Sequence, residues 1–545
     1  MCIAAAAFAC LGCIVAGSAS AAALQYGVSD DWPKYHPCGD AWWNAVHDIG
    51  YTDLRVTVKW DGTPNIDAGF KNAVDCAALN GVQLVVSIYP AKPNLIGSSD
   101  SAQSAFAGFV ALVGTDAGPS VTNFIVGNEP NVNRFWQPQY ANGKDAAGAD
   151  YEHTLAKSYD ALKSVRPDAR VWGPAISSRG NDNASAASNP SHSPVWFIKD
   201  MGDAYRASGR TTPIFDVFDM HPYPPIQDTD PFTKAFQWPQ AGAANLDRIK
   251  QTLWDAFHGT GQPTPTEQPG GRTAQGANAA RFGGPQALPI SLDEVGEQTV
   301  VTGHEPAYTD GPDSITPISE QQQATNHTTL MEMAACDPAV ESLFFFPLID
   351  ESDVHNGFQS GNLFADLQPK QSYAAVKGKI ASAHGACQGG VAGVAQSWQH
   401  TATVIGAKVF FGGGSTFHAP NRGAGQKAWG FGATASEDAN YTATLVHVTG
   451  PTGGSPATVD QTTGLIHAYY TPAIKLQTTS HPAGYYMLKL TLNAAVNPAR
   501  ATTFTSNVFK LGTPLSVAGT RKVVAASHGH QGKHHGKPKK KKRHH

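Results

Sequence analysis

From residue 24 to about 384 the chain alternates two patterns. Short apolar runs rich in Val, Ile, Leu and Phe are separated by longer stretches in which apolar positions recur every third or fourth residue. The first pattern is that of buried strands, the second that of helices packed on one face. Strands are predicted at 24–28, 54–58, 83–88, 121–126, 170–173, 215–220, 290–292 and 342–347. Helices are predicted near 40–49, 67–80, 101–113, 150–165, 194–208, 243–258, 319–335 and 370–384. Eight strand-helix units in this order fit a closed (β/α)8 barrel over 24–387. An open doubly wound sheet needs no such count and calls for a glycine-rich phosphate turn after its first strand, which is missing.

In such a barrel the loops after the strands converge on one face, so polar residues at strand ends carry the chemistry. The fourth strand ends F-I-V-G-N-E-P-N, delivering Asn128 and Glu129; the seventh, P-I-S-L-D-E-V-G, delivers Asp293 and Glu294. The second, L-R-V-T-V-K-W, carries Arg55, Lys59 and Trp60, and the sixth ends in His221 and Tyr223. The eighth, F-F-F-P, runs toward Asp350 and Glu351. Two carboxylates across a pocket are what glycosidic cleavage requires, one arriving protonated and one ionised. Glu129 is the expected proton donor, its pKa held up by burial and a like-charged neighbour, with Asn128 placed for a sugar hydroxyl. Glu294 is the expected nucleophile, kept ionised by Arg55 and the hydroxyl of Tyr223. His221 either bonds substrate or orients Glu129. No metal or cofactor is required.

Plainer readings stand beside these. Arg55 serves equally as a structural counter-charge, and His221 and Tyr223 as packing. Glu297 is a second candidate nucleophile, whereas Asp293 should face away from Glu294 if the strand stays extended. Trp60, Phe135 and Trp136 are either stacking platforms for sugar rings or parts of the core.

The N-E-P after strand four and D-E-V-G after strand seven resemble the paired glutamates of the retaining clan A (β/α)8 glycoside hydrolases. Both the cellulase-like type (family 5) and the xylosidase-like type (family 39) are candidates, the latter through G-N-E-P-N. The resemblance, over about residues 25 to 385, implies that Glu129 is the acid/base and Glu294 the nucleophile. It also places on Arg55 the strand-two arginine common in the cellulase-like type, and on Tyr223 a tyrosine that bonds the nucleophile. Strand eight departs from the cellulase-like type in showing F-F-F-P-L where a tryptophan is common.

Beyond residue 387 the texture changes to alternating β-rich segments between Gly, Pro, Asn and Asp turns, predicting a β-sandwich accessory domain at 396–517. It is structural or binds carbohydrate through Trp429, Tyr469, Tyr470, Tyr485 or Tyr486. Residues 1–23 read as an Ala-rich signal peptide without its positive start, so secretion is expected. Removing it leaves Cys38, Cys76, Cys336 and Cys387, either free thiols or disulfides paired in that order.

Residues 521–545 hold nine Lys or Arg and no acid, so the rest of the chain, formally −4 overall, is near −13. A body so acidic excludes general nucleic-acid binding. The Gly, His and Lys-rich tail at 518–545 is expected to be disordered and suited to an anionic cell-wall polymer or membrane surface. A monomer acting on carbohydrate is expected; long loops after strands favour a pocket. The alternative from another class is a carbohydrate-binding or cell-wall-associated structural protein on a barrel scaffold.

Overall fold

The computed structural model describes residues 23–226, 229–267, 287–309, 311, 315–411, 417–421, 428–477 and 481–512. The signal-like start and the basic tail, apart from residue 23 of the former, lie outside these, as does most of the 259–288 loop before the seventh strand.

Eight parallel strands close a barrel: β1 (Gln25–Ser29), β2 (Asp53–Trp60), β3 (Gln83–Pro90), β4 (Asn123–Val126), β5 (Arg170–Ser177), β6 (Val217–His221), β7 (Ile290–Val295) and β8 (Val340–Phe345). Each pairs with its sequence neighbours, and β8 closes on β1 through Gln25 to Ser342 and Val28 to Phe345. The helices between them are α1 (Ala41–Ile49), α2 (Gly69–Asn80), α3 (Asp100–Asp116), α4 (Ala147–Val165), α5 (Pro194–Ser208), α6 (Leu246–Phe257) and α7 (Glu320–Cys336), with α8 (Gln371–Ala383) after β8.

Side chains alternate across each strand, and this sorts the barrel's contents. Leu54, Val56 and Val58 of β2 face outward with Leu84, Val86 and Ile88 of β3, joining one large core under the helices. The inward set includes Val85, Ile125, Trp172, Val217 and Phe344, a separate apolar plug inside the barrel. Gly27 of β1 makes room for it: a Cβ there would stand 2.5 Å from the Phe344 ring. Above the plug the inward positions turn polar, with Arg55, Asp219, His221 and Asp293 all buried.

Cys38 is bonded to Cys76 and Cys336 to Cys387, tying the loop before α1 to α2 and the end of α7 to the chain beyond α8. Among the described residues no helix is long and apolar enough to cross a membrane.

The C-terminal segment forms two packed antiparallel sheets. One contains β9 (Lys408–Phe410), β10 (Ala428–Thr434) and β13 (Ala473–Gln477). The other contains β11 (Ala439–Val448), β12 (Ala457–Ile466), β14 (Gly484–Ala494), β15 (Ala501–Thr505) and β16 (Phe509–Leu511). Leu445, Leu488, Leu490, Leu492 and Ile474 fill the space between them. Tyr486 points into that core, while Tyr469 and Tyr470, predicted in a strand, lie in the turn before β13 and are exposed. The side chain of Trp429 lies outside what is described. Asp255 of α6 joins the two parts, accepting from Asn497 and Arg500, and Arg500 also forks onto Glu437.

Candidate active site

The polar layer is organised by one guanidinium. Arg55 Nε lies 3.1 Å from Asp293, Nη1 donates to Ser29 and Glu294 at 2.8 and 2.9 Å, and Nη2 donates to Ser87 and Asn128 at 3.3 and 2.8 Å. The four hydrogen bonds come from the two Nη groups, a fork that a lysine could not reproduce, while Nε faces Asp293 as an ion pair. Glu294 is held on its other oxygen by Tyr223, whose hydroxyl donates at 3.3 Å. Asn128 spends its carbonyl on Arg55, leaving the amide nitrogen for a bound hydroxyl.

Glu129 follows β4 in a strained setting. Its φ is 42°, in the left-handed region that side chains other than glycine rarely adopt, and Gly127 before it has φ 106°. The turn is held by the Glu129 amide donating to the Ala175 carbonyl at 2.9 Å and by Asn131, which bonds Ser177 and His192. Its result is to aim the Glu129 carboxylate at His221, 2.9 Å from Nδ1. The same imidazole lies 3.8 Å from Glu294 and 3.5 Å from Asp293 through Nε2. One ring therefore bridges the two glutamates, which belong to strands on opposite sides of its own strand β6.

Burial opposes a charge on His221, but Glu294 and Asp293, with hydrogen bonds to Asp293 and Glu129, outweigh it and hold its pKa well above 6.5. The pKa of Asp219 is raised too, but here burial acts in that same direction: with the neighbouring Asp293 it holds the group well above the carboxylate range, against the Ala175 amide, which donates to it at 2.7 Å. Because folding raises the pKa of His221, the stability it lends is complete below its ordinary 6.5 and is lost as pH rises through the elevated value. The stability gap between wild type and His221→Gln in urea titrations is therefore expected to be widest at mildly acidic pH and to narrow toward alkaline pH. A gap that is flat or widens with pH contradicts an imidazolium here.

The carboxylates open into a cavity of about 1380 Å³. Ser177 at the end of β5, with Arg179 and Asn181 in the loop after it, walls the cavity, and the β8 loop supplies Phe346, Asp350 and Glu351. Asp350 is fixed by Lys370 at 2.7 Å and by the hydroxyl of Tyr308, whose neighbour Ala307 joins the lining.

Three expectations are corrected. Trp60 shares the outward parity of Leu54, Val56 and Val58, and packs edge-on against Phe106 of α3 away from the cavity. Trp136 is 1% exposed and packs on Tyr151 of α4, while its neighbour Phe135 takes the cavity side. Asp293 does not face away from Glu294; both contact Arg55. The pairing of β7 with β8 explains it, since Leu292 to Val295 spans one residue more than Leu343 to Phe345, a bulge that breaks the alternation. Glu297, the other candidate nucleophile, is fully buried behind the cavity and accepts from Asn326 at 2.7 Å.

Sequence reasoning passed over Trp32 and Tyr89, both in the lining. Trp32 stacks on His36 with ring centroids 3.6 Å apart, and its indole donates to Asp40. The signal was present: D-D-W follows β1 and Tyr89 is the penultimate residue of β3, two of the three strands to which the strand-end rule was not applied.

No family model and no curated protein matches the chain. Among solved structures it is similar to a glucosidase from Croceicoccus marinus, with 12% identity and TM-score 0.43, covering 84% of this chain and 94% of that one. It is likewise similar to a monomeric beta-xylosidase from Caulobacter crescentus CB15, with 12% identity and TM-score 0.39, covering 84% and 95%. An FMN-binding beta-glucuronidase from Facaelibacterium prausnitzii L2-6 matches with 12% identity and TM-score 0.38 over 89% of this chain, which spans 56% of the length of that protein. Similarity at this level bears on neither substrate nor mechanism.

Proposed function

We propose that the protein is a retaining glycosidase that cleaves β-linked glycosides or oligosaccharides by double displacement. The observation that carries this reading is the arrangement of the two glutamates at one cavity, one pinned on both oxygens by Arg55 and Tyr223 and the other bonded to His221. Glu294, with a cation and a hydroxyl donating to it, is set up as a carboxylate nucleophile. Glu129 is set up as acid and base. Its carboxylate, oriented by His221 at 2.9 Å, lines the same cavity as Glu294 and is the group placed to exchange a proton with a departing oxygen and then with water.

In the first step Glu294 attacks the anomeric carbon while Glu129 gives its proton to the leaving oxygen. In the second Glu129 takes a proton from water, which releases the sugar with its configuration retained. Asn128, anchored by Arg55, offers its amide to the hydroxyl beside the reacting carbon. The reading extends to an exported protein, supported by two disulfides, which persist in oxidising compartments.

The test is a panel of aryl β-glycosides differing in the sugar, followed by NMR of the first-formed anomer. Release from at least one member with β product first is expected. No release from any member, together with polysaccharide binding, contradicts hydrolysis and returns the barrel to a binding role.

A further inference from the structure

The charged residues lining the cavity are not alike in how they are partnered. Asp30 accepts from the amides of Trp32 and Leu348 and the indole of Trp42. Asp31 takes the amide and hydroxyl of Thr57 and lies 3.4 Å from Lys34, Asp350 is paired with Lys370, and Glu351 accepts from the Phe358 amide. Lys59 and Arg134, by contrast, are exposed in the cavity wall and have no acidic partner among the described residues.

Their contacts are aromatic. Lys59 Nζ lies 5.8 Å from the centre of the Tyr89 ring, its register partner across β2 and β3, and the Arg134 guanidinium lies 5.6 Å from the centre of Phe135. Tyr89 and Phe135 meet edge to face with centroids 6.2 Å apart. The wall is thus a pair of rings with a cation on either flank, and all four residues line the cavity that holds Glu129 and Glu294. Rings suit the apolar C–H face of a sugar, and cations over rings keep their N–H donors for a ligand. A neutral sugar covering the two cations returns only hydroxyl acceptors for the water it removes, whereas an anion offsets more of that cost with hydrogen bonds between opposite charges.

We infer that the wall of Lys59, Tyr89, Phe135 and Arg134 receives a sugar ring bearing an anionic substituent, a carboxylate or a sulfate, so that the substrate class is an acidic β-linked glycoside. The reaction on that substrate rests on the hydrolase reading above; the binding rests on the wall alone. Sugar carboxylates and sulfate half-esters share this chemistry and differ in geometry, the carboxylate fitting the planar fork of Arg134 and the sulfate presenting three oxygens.

The experiment is calorimetric titration of the wild-type full chain with hydrolysis-resistant thio-linked disaccharides of gluco, galacto and manno configuration. Each is used as the neutral sugar, the 6-carboxylate and the 6-sulfate. In at least one configuration an anionic form is expected to bind about tenfold tighter than its neutral counterpart at low salt, an advantage that shrinks as salt is raised. Lys59→Gln and Arg134→Gln, each with the wild-type unfolding midpoint, should each cut that preference several-fold, and the double variant should bring it close to one. A preference for the carboxylate assigns the uronate source and one for the sulfate the other. Equal binding of neutral and anionic forms, binding of none, or a preference unchanged in the double variant overturns the inference. Because no bond is cleaved in this assay, an anion preference in a protein that hydrolyses no glycoside would leave the wall standing and remove the hydrolase reading.

Discussion

Glu294→Ala abolishes turnover of every glycoside the wild type cleaves, while the protein still folds, because Glu294 is part-exposed at the cavity and its removal leaves Arg55 with Asp293 as counter-charge. The companion variant behaves differently. Glu129→Ala slows substrates with poor leaving groups by about 10²–10⁴-fold, the usual worth of a positioned acid and base. It slows the glycosylation step of dinitrophenyl glycosides far less, since their aryloxide departs without a proton. Steady-state kinetics across a leaving-group series reads the contrast. Full activity in Glu294→Ala, or a Glu129→Ala loss independent of leaving group, contradicts the assignment of roles.

Arg55→Met produces the largest loss of stability. Arg55 is 2% exposed and is the cation shared by Asp293 and Glu294. Removing one partner of a buried ion pair strands the other, at a cost of about 3–5 kcal/mol. Adding Asp293→Asn to that background should recover part of the stability, since the stranded charge is gone, without restoring activity, since Glu294 still lacks its partner. Arg55→Lys should recover little of either, because a point charge cannot reach all of Ser29, Ser87, Asn128, Asp293 and Glu294. Denaturant unfolding of the three variants checks this. A single variant within about 1 kcal/mol of wild type would show that the cluster is not held together by charge.

The barrel was legible because its strands are buried on both faces and its helices on one, so the two apolar periods are distinct along the chain. All eight strands and helices fall where those periods change, with ends shifted by a few residues, as at β5, which runs on to Ser177. The paired glutamates, His221 and Tyr223 were legible because each stands at or near a strand end, where an apolar run gives way to polar side chains, and Arg55 because it is a charge inside an otherwise apolar strand. Their meeting is a property of closure, which gathers residues far apart in sequence at one mouth.

What was misread has local causes. Trp60 was counted by its place at the end of a strand, although its parity with Leu54, Val56 and Val58 already sends it toward α3. Trp136 and Phe135 are adjacent in a loop, where no period says which of two aromatic rings turns inward. Asp293 was misdirected because a bulge depends on the partner strand and leaves no mark in β7 itself. The polar layer beneath the glutamates, with the pKa values of both Asp219 and His221 pushed up, depends on distances between side chains of different strands.

The central claim is that Glu294 forms a covalent bond to the sugar and Glu129 does not. The measurement that tests it most directly is mass mapping of the protein after incubation with the 2-deoxy-2-fluoro analogue of whichever aryl glycoside it hydrolyses. A single added glycosyl group on the peptide carrying Glu294, absent in Glu294→Gln, is the predicted result. A label on Glu129 or Glu297, or steady turnover with no covalent species trapped at all, would contradict it.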